Sequence, residues 1–235
     1  MRIVTCRKVV LTTCLLGLLL VGIALVSILS GSIRIDPVRS LRILFRSLTG
    51  LRGLDNETEQ TIILSIRLPR VLLAGLVGAG LSVSGAVFQA LLRNPLADPY
   101  ILGVSSGAAV GAIIAILTGL SALSPGIPLA SSLGALLTIL TVFYFGRQDG
   151  KIHPNTLLLA GVITSSFLTS IIMFFISVSQ REELRTIIFW LMGDFSLSNY
   201  GALWMTFPYL FLGFLLLYLH SRQLNLILLG EENAV

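Results

Sequence analysis

Six stretches of unbroken apolar character alternate along the chain with polar, arginine-bearing connections. They fall at 9–29, 71–92, 100–123, 127–145, 157–178 and 203–219, and none contains Asp, Glu, Lys, Arg or His. A helix rising 1.5 Å per residue needs about 20 apolar residues to cross roughly 30 Å of hydrocarbon, and each run meets or approaches that length. The runs are continuously apolar, with no alternation of sides, so spanning helices are expected and barrel strands are not. The pattern predicts an all-α, polytopic transmembrane bundle of about six spanning helices.

Two connections carry a pattern of their own. Within 33–48, Ile35, Val38, Leu41, Leu44, Phe45 and Leu48 recur at three- and four-residue spacing, with Arg39, Arg42 and Arg46 between them. That is a basic amphipathic helix, suited to lying on the membrane surface or capping the bundle. Within 182–194, Leu184, Ile187, Ile188 and Leu191 form an apolar stripe that Gly193 ends. It reads as a short helix that caps packing or acts as a lid.

Composition agrees with a lipid environment. Hydrophobic residues make up 55% of the chain and charged residues 11%, with a mean hydropathy of +0.94, whereas a soluble domain carries about a quarter charged residues. The net charge of +5 does not point to nucleic acid, because the cations are scattered between apolar runs with no interleaved aromatics. Cys6 and Cys14 have neither a disulfide framework nor metal-ligand spacing. The first run is longer than a secretory signal core and ends in a poor cleavage site, so an uncleaved first helix is expected.

Orientation follows from the first helix. Arg2, Arg7 and Lys8 precede it closely, which favours a cytoplasmic N-terminus even though 7 of the cations then lie inside and 9 outside. The 33–48 and 182–194 segments are then external.

The spans hold no Asp, Glu, Lys, Arg or His, and such buried groups mark ion-coupled transporters. There is no P-loop, and no catalytic residue, cofactor or metal-ligand set is expected. What remains is architectural. Arg67 and Arg70 flank Pro69, which reads as a helix start, and at a spacing of three both cations project from about one face. Asn94, Pro95, Asp98 and Pro99 form a turn, since Asx side chains bond nearby backbone and each proline denies a helical bond. Gly103, Gly107 and Gly111 form a small-residue face for close helix packing in lipid. His153, Pro154 and Asn155 open the fifth run, and the chain closes on the polar stretch 224–235, with Gly230, Glu231, Glu232 and Ala234.

Taken in order, R-L-P-R at 67–70, N-P-L-A-D-P at 94–99, the glycine face that follows, L-L-L-A-G at 157–161 and L-G-E-E-N-A at 229–234 resemble the FecCD/BtuC-like permease family of ABC importers for ferric siderophores, haem and cobalamin. The resemblance covers essentially the whole chain, as the N-terminal part of that pattern. It implies a permease subunit working by ATP-driven alternating access in a bacterial inner or plasma membrane. Its partners would be a second permease subunit (homo- or heterodimer), two cytoplasmic ATPase subunits that hydrolyse the ATP, and an extracytoplasmic substrate-binding protein. It also implies roles for particular residues. Arg67 and Arg70 would face acidic residues of the binding protein. Gly230, Glu231, Glu232 and Ala234 would begin the segment that couples to the ATPase. Pro154 and Asn155 fall where relatives carry the cytoplasmic gate, although small hydroxyl residues can stand there in relatives.

Family members carry ten spanning helices, and this sequence stops inside the coupling loop, as a truncated chain or fragment would. Ferric siderophore is the leading cargo, with haem and cobalamin as alternatives. A non-transporting fragment and an ion-coupled secondary transporter are the remaining readings.

Overall fold

The computed structural model describes residues 5–50, 56–120, 125–148 and 151–229. It is helical: α1 (Cys6–Leu29), α2 (Pro37–Thr49), α3 (Glu57–Gln60), a π-helical segment (Thr61–Arg67), α4 (Leu68–Leu92), α5 (Val104–Leu117), α6 (Gly126–Phe145), α7 (Pro154–Val178), α8 (Arg181–Met192), α9 (Tyr200–Leu219) and α10 (Ser221–Leu229). Strand is confined, among the described residues, to β1 (Arg147–Gln148) and β2 (Lys151–Ile152), an antiparallel pair with Arg147 opposite Ile152. Two compact units result, Met1–Gly78 with Phe195–Phe211 and Ala79–Asp194 with Leu212–Val235.

In the first unit, α2 starts where Asp36 accepts the N–H of Val38 at 3.1 Å and Pro37 fills the first turn. The amphipathic helix therefore forms, but it packs by only part of its expected stripe. Ser40 and Ile43 are the buried positions, with Ile43 clustering with Ile28, Ile35 and Ile63, while Val38, Leu41 and Phe45 face outward. The apolar stripe is thus split, with Ile35 and Leu44 turned to the protein and Val38, Leu41 and Phe45 away from it.

The expectation that Pro69 starts a helix is corrected by the same unit. Asn56 caps a helix that runs without a break from Glu57 to Leu92, which places Pro69 in its interior. A proline there lacks an N–H and its ring collides with the carbonyl four residues back. The chain answers with the π-helical segment, in which the N–H of Leu68 reaches the carbonyl of Ile63, five residues back. In that register the carbonyl left without a backbone donor by Pro69 is Leu64, and the hydroxyl of Tyr200 donates to it at 2.8 Å.

In the second unit, α5 lies against α6, α7 and α8. Its apolar core has two clusters: Leu92, Ala97, Leu102, Val142, Leu157 and Ala160, and Ala109, Ile113, Ile116, Ile172 and Ile187. Ile187 comes from α8, which a capping box between Gln180 and Glu183 starts and Gly193, at φ 76°, ends. The third apolar run differs from expectation. α5 holds 14 residues, about 21 Å of helix, against roughly 30 Å of hydrocarbon. Asp98 Oδ1 captures the N–H groups of Tyr100 at 2.8 Å and Ile101 at 3.1 Å, and Gly103 turns left-handed at φ 71°. Those bonds hold the backbone in turns until Val104. Five helical stretches among the described residues are long and apolar enough to span: α1, the continuous Glu57–Leu92 helix, α6, α7 and α9. α5 is the short sixth.

Candidate functional site

The arginine pair lies within the first unit. Arg67 is 8% exposed, so its guanidinium is a buried cation and requires partners. It has them at the end of α1: Nη1 donates to the carbonyls of Ile28 at 2.8 Å and Leu29 at 3.2 Å, and Nη2 to that of Ile33 at 2.6 Å. A helix leaves its last carbonyls unpaired and negatively polarised, and one planar cation with several donors satisfies two of them. Gly31 makes room, since a Cβ there would strike the guanidinium. Arg67 is thus committed to carbonyls within the chain.

Arg70 is exposed. Its Nε donates to the carbonyl of Phe195 at 3.0 Å and its Nη2 to that of Ser196 at 3.2 Å, ahead of α9. Three residues apart on a helix are separated by about 60°, which is enough to send one arginine inward to α1 and the other toward the 195–196 loop. An apolar cavity of about 910 Å³, with Leu20, Ile23, Val71 and Gly75 among its walls, has both arginines on its lining.

The second unit brings the small residues together. A Cβ on Gly107 would stand 2.6 Å from the carbonyl oxygen of Gly134, and one on Gly111 would collide with the carbonyl of Ala130. The backbones of α5 and α6 therefore touch, antiparallel, along Gly107–Gly134 and Gly111–Ala130. Gly103 is not part of the α5 face. It is the left-handed residue that precedes the helix, and it rests on Ser165. Gly161, whose added Cβ would lie 2.7 Å from the carbonyl of Ile101, lets the irregular segment pack on α7. Ser106 and Ser165 share a hydrogen bond of 3.0 Å, and Thr138 Oγ1 donates to the carbonyl of Gly134 at 2.9 Å.

Sequence reasoning assigned no packing role to Gly134, Gly161, Ser165 or Tyr200. A signal existed for the first three: Ala130, Gly134 and Thr138, and Gly161, Ser165 and Thr169, repeat small residues every fourth position, as the α5 face does. Nothing local marks Tyr200, because its partner is fixed by a proline far away in sequence.

The turn residues lie as the residue types dictate. Asn94 Oδ1 accepts the N–H of Leu96 at 2.9 Å, and its carbonyl accepts that of Ala97 at 3.0 Å. Arg93, at φ 49°, closes α4 in a left-handed conformation, and its Nε donates to the carbonyl of Ile227 in α10 at 2.9 Å. Pro95 and Pro99 complete the turn without N–H groups to satisfy. Pro154 is the first residue of α7, with His153 preceding it as cap and Asn155 exposed. Gly230, Glu231, Glu232 and Ala234 lie outside the described residues. No cluster of three or more His, Cys, Asp or Glu able to hold a metal ion occurs among the described residues.

Comparison with known proteins fits this arrangement. The model of the FecCD transport family matches residues 18–235. An uncharacterized ABC transporter permease protein, YvrB, of Bacillus subtilis strain 168 is 41% identical over 87% of this chain and 59% of its own length. The cobalamin import system permease BtuC of Halobacterium salinarum is 42% identical over 76% of this chain and 48% of its own. Other matching permeases are named for molybdate import in Haemophilus influenzae and iron chelatin transport in Helicobacter pylori. Among solved structures, a protein assigned as a metal-chelate type ABC transporter, in an inward-facing conformation, aligns with a TM-score of 0.76 at 34% identity, over 93% of this chain and 65% of that one. The chain spans between 48% and 65% of the length of these relatives. Its apolar helices, its glycine-paired packing and this match over most of its length make it a multi-pass membrane protein that belongs to the FecCD transport family.

Proposed function

We propose that this chain forms spanning helices of the permease subunit of a binding-protein-dependent ABC importer, in a bacterial inner or plasma membrane with its N-terminus cytoplasmic. The cargo proposed first is an iron chelate of the siderophore class, with cobalamin or haem as its competitors. The observation that carries the reading is the alignment of its helices, over 93% of the chain, with an inward-facing transporter of metal-chelate type. Relatives named for iron chelatin, cobalamin and molybdate support a chelate or oxyanion as cargo and do not choose among them.

In this reading the protein's part is mechanical. No Asp, Glu, Lys, Arg or His lies in 71–92, 100–123, 127–145 or 157–178, so these helices offer no carboxylate to hold a coupling ion. Work must come from helices moved by a separate ATPase, and α10 with the 230–235 stretch is the segment proposed to receive it. The contact of Arg93 with the carbonyl of Ile227 would carry that movement to the turn that joins α4 to α5. Pro154 and Asn155, at the start of α7, are the proposed cytoplasmic gate. Arg70 is the proposed contact for a binding protein, through bidentate pairing with a carboxylate, and Arg67 supports it from behind by fixing α1 to the same helix.

The test is uptake in the native source. Disrupting the segment that encodes this chain should abolish uptake of radio-iron given as a ferric siderophore, and restoring it should recover uptake. Collapsing the proton gradient while ATP is maintained should leave uptake intact. Uptake that follows the gradient and ignores ATP would sink the importer reading. Loss of cobalamin or haem uptake with iron uptake unchanged would reassign the cargo.

A further inference from the structure

α2 presents three faces, and one of them packs into the protein's apolar core. Ser40, 0% exposed, and Ile43, 2%, turn inward, and the Ser40 hydroxyl is satisfied by the carbonyl of Asp36 at 3.2 Å. The helix is therefore held in a fixed rotation against the Ile28, Ile35 and Ile63 cluster. On a second face Val38, Leu41 and Phe45 are 61%, 45% and 65% exposed, aligned by their spacing of three and four. On a third, about a third of a turn away, Arg39, Arg42 and Arg46 line up by the same spacing. The thirteen residues of α2 contain no acidic side chain. Outside it, Glu59 pairs with Arg39 at 3.5 Å across an exposed gap.

Position decides what such a helix meets. α1 is uncharged from Val9 to Leu29 and long enough to cross a membrane, so its last residue, Leu29, marks a bilayer boundary. α2 begins at Pro37, just beyond it, and the carbonyls of Ile28, Leu29 and Ile33 are pinned by Arg67. That keeps α2 at the level of the headgroups. An acidic protein partner would account for the arginines and leave the apolar stripe in water. A bilayer accounts for both: the stripe enters the acyl boundary and the guanidinium groups reach sideways to phosphates.

We propose that α2 is a binding surface for anionic phospholipid, with Val38, Leu41 and Phe45 seated among acyl chains and Arg39, Arg42 and Arg46 on headgroup phosphates. The inference does not rest on the transport reading. It makes the composition of one leaflet a determinant of how the α1–α4 end of the protein is held.

Two measurements on the full chain test it. In native mass spectrometry with an equimolar mixture of phosphatidylglycerol and phosphatidylcholine, the unaltered protein should retain phosphatidylglycerol preferentially. The triple variant Arg39→Gln, Arg42→Gln, Arg46→Gln should lose that preference by about tenfold or more. The triple variant with Lys at the same positions should keep most of it, and Arg181→Gln with Arg185→Gln, on α8, should change nothing. Equal retention of the two lipids, an unchanged Gln variant, or a Lys variant as poor as the Gln variant would each overturn the proposal. In the second measurement, a nitroxide is placed by Phe45→Cys in a Cys6→Ser, Cys14→Ser background and the protein is reconstituted in vesicles of the same two lipids. It should be relaxed more strongly by oxygen than by a water-soluble nickel chelate. The reverse order would place the stripe in water, and shielding from both relaxants would mean that protein covers it. Either result overturns the proposal.

Discussion

The hydroxyl of Tyr200 donates to the carbonyl of Leu64 at 2.8 Å, the backbone acceptor that Pro69 leaves unmatched in the π-helical register. A side chain from the start of α9 thus completes a helix interrupted 131 positions earlier in sequence. Removing it by Tyr200→Phe should destabilise the protein by about 1 kcal/mol, the usual net worth of one hydrogen bond. In a Pro69→Ala background, where residue 69 regains an N–H, the same substitution should cost distinctly less. Thermal unfolding of the four proteins of this cycle in detergent gives the coupling, and additive losses would refute the link between proline and tyrosine.

Arg67 is the cation whose loss should be felt most. Arg67→Ala leaves the buried carbonyl of Ile28 and the part-buried carbonyls of Leu29 and Ile33 without this donor, a loss of about 2–4 kcal/mol on the scale of charged hydrogen bonds and unsatisfied acceptors. Arg67→Lys should recover only part of it, because one ammonium cannot reproduce the planar fork. A melting temperature for Arg67→Ala equal to that of the unaltered protein would contradict the role assigned to the residue.

For Arg70 the expectation is the reverse. It is exposed, so Arg70→Glu should leave the melting temperature nearly unchanged while abolishing association with the binding protein. Arg70→Lys should weaken association several-fold, and binding by the unaltered chain should fall as salt rises. Surface plasmon resonance on nanodisc-held protein reads all three. Tight binding by Arg70→Glu would remove this residue from the docking surface.

Glycines that look alike in sequence should respond differently. Gly111→Ala forces a methyl group onto the Ala130 carbonyl in a backbone-to-backbone contact, an overpacking cost of about 1–3 kcal/mol. Gly75→Ala meets nothing within 4 Å and should be neutral or slightly stabilising, since alanine favours the helix by about 1 kcal/mol. Denaturation in mixed detergent compares the two directly.

The turn after α4 should depend on a carboxylate geometry and not on its charge. Asp98→Ala frees the N–H groups of Tyr100 and Ile101 and should cost about 1 kcal/mol. Asp98→Asn keeps an acceptor oxygen and should lose less. Hydrogen exchange at Tyr100 and Ile101 is the local readout, with faster exchange expected in the alanine variant.

The sequence by itself determined what depends on neighbours along the chain. Unbroken apolar runs dictated helices, because in lipid a backbone must satisfy its own hydrogen bonds. Asn94 and Asp98 dictated a turn, because an Asx oxygen reaches only the N–H groups just ahead of it. Arg39, Arg42 and Arg46 dictated a basic face on α2. The tertiary structure decided what depends on distant partners. It assigned Arg67 to the end of α1, chose Ser40 and Ile43 over Val38 and Phe45 as the protein-facing side of α2, paired Gly107 with Gly134, and shortened the third span to α5. None of these follows from spacing alone. A helix repeat says which residues share a face, while the element packed against that face, through volume and unsatisfied hydrogen bonds, says which face is buried.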